Sequence, residues 1–275
     1  MNSNPLQKYF RQPKLFVSLP SRGMFYKEGS LEGDHSNMPV FGMTGMDEII
    51  MKTPDALFNG EATVKLIESC CPYIKDAHAI PSLDVDTLLT AIRIATYGDQ
   101  ITVSNTCKNC GVENEYEIDI ASIIEFYNTK EFNNRIEIKD IIINLRPLSY
   151  EEMTKFNTEN FKLQRTLYQL NEVTDPGARQ TALDEIYAKL AELQVDLFLM
   201  SIESVQTPET IVSDKEFIAE WLKNSPKDMY NVVKDRLEQN KEEWDVPKRD
   251  VECSSCQTMD QIQISLDQSN FFVYG

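Results

Sequence analysis

The sequence predicts an α+β protein, mainly helical, with small antiparallel β pieces and a split four-cysteine zinc ribbon closed by two C-x-x-C knuckles. Three patterns carry this. Apolar residues recur at helical spacing behind capping residues through much of the chain, and short stretches alternate with a period of two. The third is the pair Cys107-Lys108-Asn109-Cys110 and Cys253-Ser254-Ser255-Cys256.

Residues 1–45 show no regular period and read as an extended N-terminal arm. Within it Leu15, Val17 and Leu19 alternate as a short strand would, and Leu19-Pro20-Ser21-Arg22-Gly23 makes a turn. Residues 46–120 read as a helical segment ending in the first knuckle and its strand. Thr53 can cap there, with Pro54 at the first helical position. Val85, Leu88, Leu89 and Ile92 then form one apolar stripe between about Asp84 and Tyr97, and Gly98 is the stop. Ile101 and Val103 alternate toward the first cysteine pair.

Residues 121–245 read as an insertion holding a β-hairpin and a helical hairpin or bundle. Ile136 and Ile138, then Ile141, Ile143 and Leu145, flank a turn at Lys139-Asp140. Ser149 with Glu152 spells a capping box, followed by Met153, Phe156, Leu163, Leu167 and Leu170 at helical spacing. Asp175-Pro176 opens a second long helix with Leu183, Ile186, Leu190, Leu193, Leu197 and Met200, and the two make an antiparallel helical hairpin. Ser213 with Glu216, and Ser225 with Pro226, start two shorter helices whose apolar faces include Phe217, Trp221, Met229, Val233 and Leu237. Residues 246–275 hold the second knuckle, a strand and the aromatic tail Phe271-Phe272-Val273-Tyr274, which either closes the core or inserts into a partner.

The two cysteine pairs carry the chemistry. Two residues between cysteines form a tight turn that aims both sulfurs at one metal, and two such turns supply the four thiolates of a tetrahedral structural zinc. Cys107, Cys110, Cys253 and Cys256 are the expected ligands. At six, eight and ten residues past the last cysteine stand Tyr116, Ile118 and Ile120 in the first copy, and Ile262, Ile264 and Leu266 in the second. Each knuckle is thus followed by an alternating strand at one offset, the layout of two ribbon half-sites whose strands lie side by side beneath the metal. The 142 residues between Cys110 and Cys253 far exceed the roughly 15 to 20 of a compact ribbon. Closing the longer loop adds only about 2 kcal/mol, against about 10–16 kcal/mol for structural zinc. Two separate redox centres fit less well, because neither pair opens a helix. Four thiolates leave no open position on the ion, so the expected zinc is structural.

Other candidates are weaker. Cys70-Cys71 ends a helical segment before Pro72, and buried apolar cysteine is the expected state. Asp76 and His78 share a face if extended, yet a polar connection into Pro81 explains them, and His35 lies in a polar loop. The sequence holds no Walker loop, dinucleotide glycine fingerprint or Gly-x-Ser-x-Gly elbow. A chain of 275 residues with 27 basic and 44 acidic side chains carries −17, which repels nucleic acid and anionic membranes. No apolar run approaches the roughly 20 residues of a spanning helix, and residues 1–11 hold no apolar signal core, so a soluble, unexported protein is expected.

Leu19-Pro20-Ser21-Arg22-Gly23 with Tyr26, and Leu88, Leu89, Arg93, Tyr97 and Gly98 ahead of the first knuckle and its Tyr116-Ile118-Ile120 strand, resemble the base plate protein family of T-even-type contractile-tailed bacteriophages. The resemblance covers residues 15–125. It implies a non-enzymatic hub component in the virion tail, assembled in the host cytoplasm and bound to other baseplate proteins, or a hub assembly chaperone that leaves before completion. It implies no catalytic residue and no small-molecule substrate. Two other classes compete. A host-directed zinc-ribbon adaptor would need basic strands, whereas these carry Glu113, Glu115, Glu117, Asp119, Asp260 and Asp267. A metal-dependent hydrolase would need an open metal position.

Overall fold

The computed structural model describes residues 4–53, 60–170, 175–264 and 272. The chain divides into two compact units, Met1–Glu131 with Trp244–Gly275, and Phe132–Glu243. The stretch 121–245 read as an insertion therefore differs at both ends, since residues 121–131 and 244–245 fold with the first unit.

In the first unit β1 (Leu15–Val17) pairs antiparallel with β2 (Met38–Val40). Helices α1 (Gly45–Met51), α2 (Glu61–Cys70) and α3 (Ser82–Tyr97) follow. The helix start read at Thr53-Pro54 falls at the edge of residues 54–59, outside the described residues. α3 is the centre of the core. Its stripe of Val85, Leu88, Leu89 and Ile92 is buried, and it packs against α2, β1 and β2. Gly98 ends it at φ +95°, a conformation that glycine adopts without a Cβ penalty.

Residues 1–45 are largely not an extended arm, and this corrects the reading of the sequence. Val17, Leu19, Met38 and Val40 are buried. The Arg11 guanidinium donates to Gly42 O at 2.5 Å and Ser69 O at 2.6 Å, and pairs with Asp47 at 3.4 Å. These residues show no period because contact with α3 and α2, distant in sequence, decides which of them are buried.

The turn after Leu19 is held by Asp84, in the first turn of α3 and fully buried. Its carboxylate accepts the Ser21 amide at 2.7 Å, the Ser21 hydroxyl at 2.5 Å and the Tyr26 hydroxyl at 2.9 Å. Burial pushes Asp84 up to about 6 despite these donors. Next come β3 (Gln100–Thr106) and β4 (Glu113–Asp119), paired antiparallel from Gln100↔Asp119 to Thr106↔Glu113. Helix α4 (Ala121–Asn128) packs on α3, with the Tyr127 hydroxyl donating to Asp86 at 2.9 Å.

The second unit is a four-stranded antiparallel sheet with helices. β5 (Arg135–Ile138) and β6 (Ile141–Leu145) form the expected hairpin, with Lys139 at φ +55° in its turn. β7 (Ile202–Gln206) and β8 (Ile211–Val212) extend the sheet in the order β5-β6-β7-β8. Between β6 and β7 run α5 (Tyr150–Gln169) and α6 (Pro176–Ser201), which pack against each other. The Ser149 capping box forms as read, and Arg146 grips its Glu152 at 2.6 and 2.9 Å. α7 (Lys215–Asn224) is capped by Asp214 instead of Ser213, and Phe217 faces solvent instead of the core. With α8 (Lys227–Trp244), the unit buries Ile136, Ile143, Leu145, Ile202, Val205, Ile218 and Val233 together. Among the described residues no helix is long and apolar enough to cross a membrane.

Candidate metal centre

β9 (Arg249–Glu252) pairs antiparallel with β10 (Met259–Ile262), giving the first unit a second small hairpin. Cys107 directly follows β3 and Cys253 directly follows β9, so each C-x-x-C is the turn of its own hairpin. The two turns are built alike. The Cys107 amide donates to Val112 O at 2.9 Å and the Gly111 amide to Cys107 O at 2.9 Å; the Cys253 amide donates to Thr258 O at 3.0 Å and the Gln257 amide to Cys253 O at 2.9 Å. The residue after each second cysteine is left-handed, Gly111 at φ +73° and Gln257 at φ +58°.

The four sulfurs converge within 4.8 Å of one another. Cys107 Sγ lies 3.6 Å from Cys256 Sγ, and Cys110 Sγ 3.6 Å from Cys253 Sγ. Tetrahedral zinc with bonds of about 2.3 Å sets sulfurs about 3.8 Å apart, so the cluster matches the size of such a site and can hold a metal ion. Cys107 and Cys253 are buried, Cys256 is half-buried and Cys110 is exposed.

Polar side chains cross between the hairpins around the sulfurs. Asn114 is buried, and its amide donates to Val112 O at 3.1 Å and to Cys253 Sγ at 3.5 Å. Its Oδ1 accepts the Ser254 amide at 3.0 Å and hydroxyl at 2.7 Å. From the other side Asp260 accepts from Asn105 at 3.2 Å and Lys108 at 3.1 Å. Asn114 and Asp260 each stand four residues past a knuckle's last cysteine and each reaches to the opposite hairpin. Sequence reasoning missed Asn114; the available signal was an amide at the inward position of an alternating strand.

The electrostatics favour a cation. The Thr258 hydroxyl and the Asn109 amide hold Cys256 down at about 5, and the backbone amides of Cys256 and Ser255 lower Cys253. Against a lowering contribution from Val112, the neighbouring cysteine sulfurs push Cys110 up to about 12. Some sulfurs ionise readily while a neighbour resists, as expected where thiolates crowd without a counter-charge; a dication removes that conflict.

Two details of the ribbon reading change. Among the described residues no strand of one hairpin pairs with a strand of the other; the hairpins meet through side chains, as where the Tyr116 hydroxyl donates to Glu252 O at 3.2 Å. Ile120 and Ile264 are buried but lie beyond the strands, and Leu266 is outside the described residues. Of the aromatic tail only Phe272 is described; it is buried, and its carbonyl accepts the Tyr97 hydroxyl at 3.4 Å.

Among the described residues the remaining candidates join no such cluster. Cys70 and Cys71 are buried, and burial pushes the Cys70 thiol up to about 11. Asp76 accepts the His78 backbone amide at 3.1 Å, and the His78 ring lies 3.6 Å from Glu61. Among the described residues the four cysteines are the one group of three or more metal-capable side chains brought together.

Comparison with curated proteins and with solved structures returns no match. A family model described as T4 bacteriophage base plate protein matches residues 44–273. That span takes in α3, both knuckles and the helical pair α5–α6, and leaves out the Leu19–Gly23 turn, so it differs from the 15–125 suggested by short motifs. The match covers most of the chain, which therefore belongs to the T4 bacteriophage base plate protein family.

Proposed function

We propose that the chain is a non-enzymatic structural component of the central baseplate, or hub, of a contractile phage tail, binding neighbouring baseplate proteins during tail assembly and remaining in the virion. Cys107, Cys110, Cys253 and Cys256 hold one structural zinc ion. The convergence of four cysteine sulfurs within 4.8 Å, from turns 142 residues apart, is the observation that carries this role for the site. Four thiolates saturate a tetrahedral ion and leave no position for water or substrate, so the metal is a clasp and not a reagent. Family membership supports the tail location, and a charge of −17 disfavours nucleic acid and anionic membranes as partners.

Mass spectrometry of purified virions tests the placement. The expected result is this chain at a fixed ratio to other baseplate proteins. Its presence in assembly intermediates but absence from finished particles would replace the structural role with that of a hub assembly chaperone.

A further inference from the structure

We propose that the cysteine cluster is also a site of covalent modification, at which a small-molecule disulfide of the glutathione type converts the metal clasp into two disulfides joining the hairpins, Cys107–Cys256 and Cys110–Cys253. The inference rests on the reading of the four cysteines as a metal clasp and adds the chemistry by which that clasp outlasts its metal.

Each sulfur of one hairpin has a sulfur of the other at 3.6 Å, so bond formation needs an approach of about 1.5 Å to reach the disulfide length. Contacts that need no metal keep those partners together. Asn114 bonds Ser254, Asp260 bonds Asn105 and Lys108, and the Asn109 amide donates to Thr258 at 3.2 Å. Cys110 is the exposed member and the point of entry. Its thiolate attacks one sulfur of the small disulfide and expels one small thiolate, leaving a mixed disulfide on Cys110. The Cys253 thiolate then attacks the Cys110 sulfur and expels the second small thiolate. The same exchange at Cys256 and Cys107 consumes a second small disulfide. In total four protein thiolates are oxidised, two small disulfides are reduced to four thiolates, two protein disulfides form, and one zinc ion is released without redox change. Bonds of this connectivity close loops of well over 100 residues, where cross-linking most restricts the unfolded chain. A protein assembled in a reducing cytoplasm and then exposed to an oxidising medium meets these conditions.

The test uses the full-length protein, whose zinc content is first measured by elemental analysis. Zinc-loaded protein is incubated with excess glutathione disulfide. Zinc release is followed with a chromophoric chelator, free thiols are counted after denaturation, and disulfides are mapped by peptide mass spectrometry. The expected result is one zinc released and four thiols lost per chain, with Cys107 linked to Cys256 and Cys110 to Cys253. The oxidised form should melt above the reduced, metal-free form. Disulfides within a knuckle, Cys107–Cys110 and Cys253–Cys256, would overturn the proposal, as would full retention of zinc and thiols. A protein purified without zinc would instead count against the clasp, and mapping of its oxidation products would still decide the connectivity.

Discussion

Asp84 shows how a single buried group ties distant segments together. Its carboxylate sits in the first turn of α3 and takes three hydrogen bonds from Ser21 and Tyr26, with burial raising it from the ordinary carboxylate value to about 6. Between about pH 4 and 6 the folded protein therefore binds a proton that the unfolded chain releases. This contribution to stability is full below about pH 4 and is lost as pH rises through 6. Wild-type stability relative to Asp84→Asn should thus be greater at pH 4 than at pH 7, by at most about 3 kcal/mol. Paired denaturant titrations at the two pH values measure this, and a difference of the opposite sign would refute it. Asn114 offers a second test. Its amide orients Cys253 Sγ and ties down Ser254, so Asn114→Ala should weaken zinc binding about 10–100-fold in a competitive chelator titration. Unchanged affinity would show that the amide does not support the metal.

Among the elements, those with local signals were legible in advance. The β5–β6 hairpin follows from alternating isoleucines about Lys139-Asp140, and α5 from its Ser149–Glu152 box. In the metal centre, β3 and the strand after each knuckle follow from alternating residues and cysteine spacing, whereas β9 and the pairing of each strand within its own knuckle's hairpin do not. Elements defined by distant partners were not legible. β7 continues directly from α6, so the residues Ile202 and Val205 extend an apolar run and mark no boundary; pairing with β6 makes them a strand. Before α1, β1 and the turn after Leu19 carry local signals, but the rest has no period of its own because α3 selects its buried residues. The likeness of the two knuckle turns emerged only with their backbone angles. Gly111 and Gln257 hold the same left-handed position, but only Gly111 avoids a Cβ penalty. Gln257→Gly should stabilise the protein by about 1 kcal/mol. Gly111→Ala should destabilise it by a similar amount through the backbone alone, since no atom lies within 4 Å of the added Cβ. Thermal melts of the two variants would expose an error if both moved in the same direction.

Across the full chain, the first unit is made of two separate sequence segments, Met1–Glu131 and Trp244–Gly275, with the 112-residue second unit between them. Its closing segment is short; among its described residues the β9–β10 hairpin, Trp244 stacked on Tyr127, Arg249 bonded to the Ser122 hydroxyl and a buried Phe272 join it to the rest of the unit. On the proposed reading, an ion held by two thiolates from each segment adds a direct link between the two parts of the unit. Zinc content of the purified protein, compared with Cys253→Ser, is the most direct test. One zinc per chain is expected in the wild type, with little zinc in the variant and a melting temperature lower by about 10 °C or more. A wild-type protein free of metal that melts at the same temperature as the variant would contradict it.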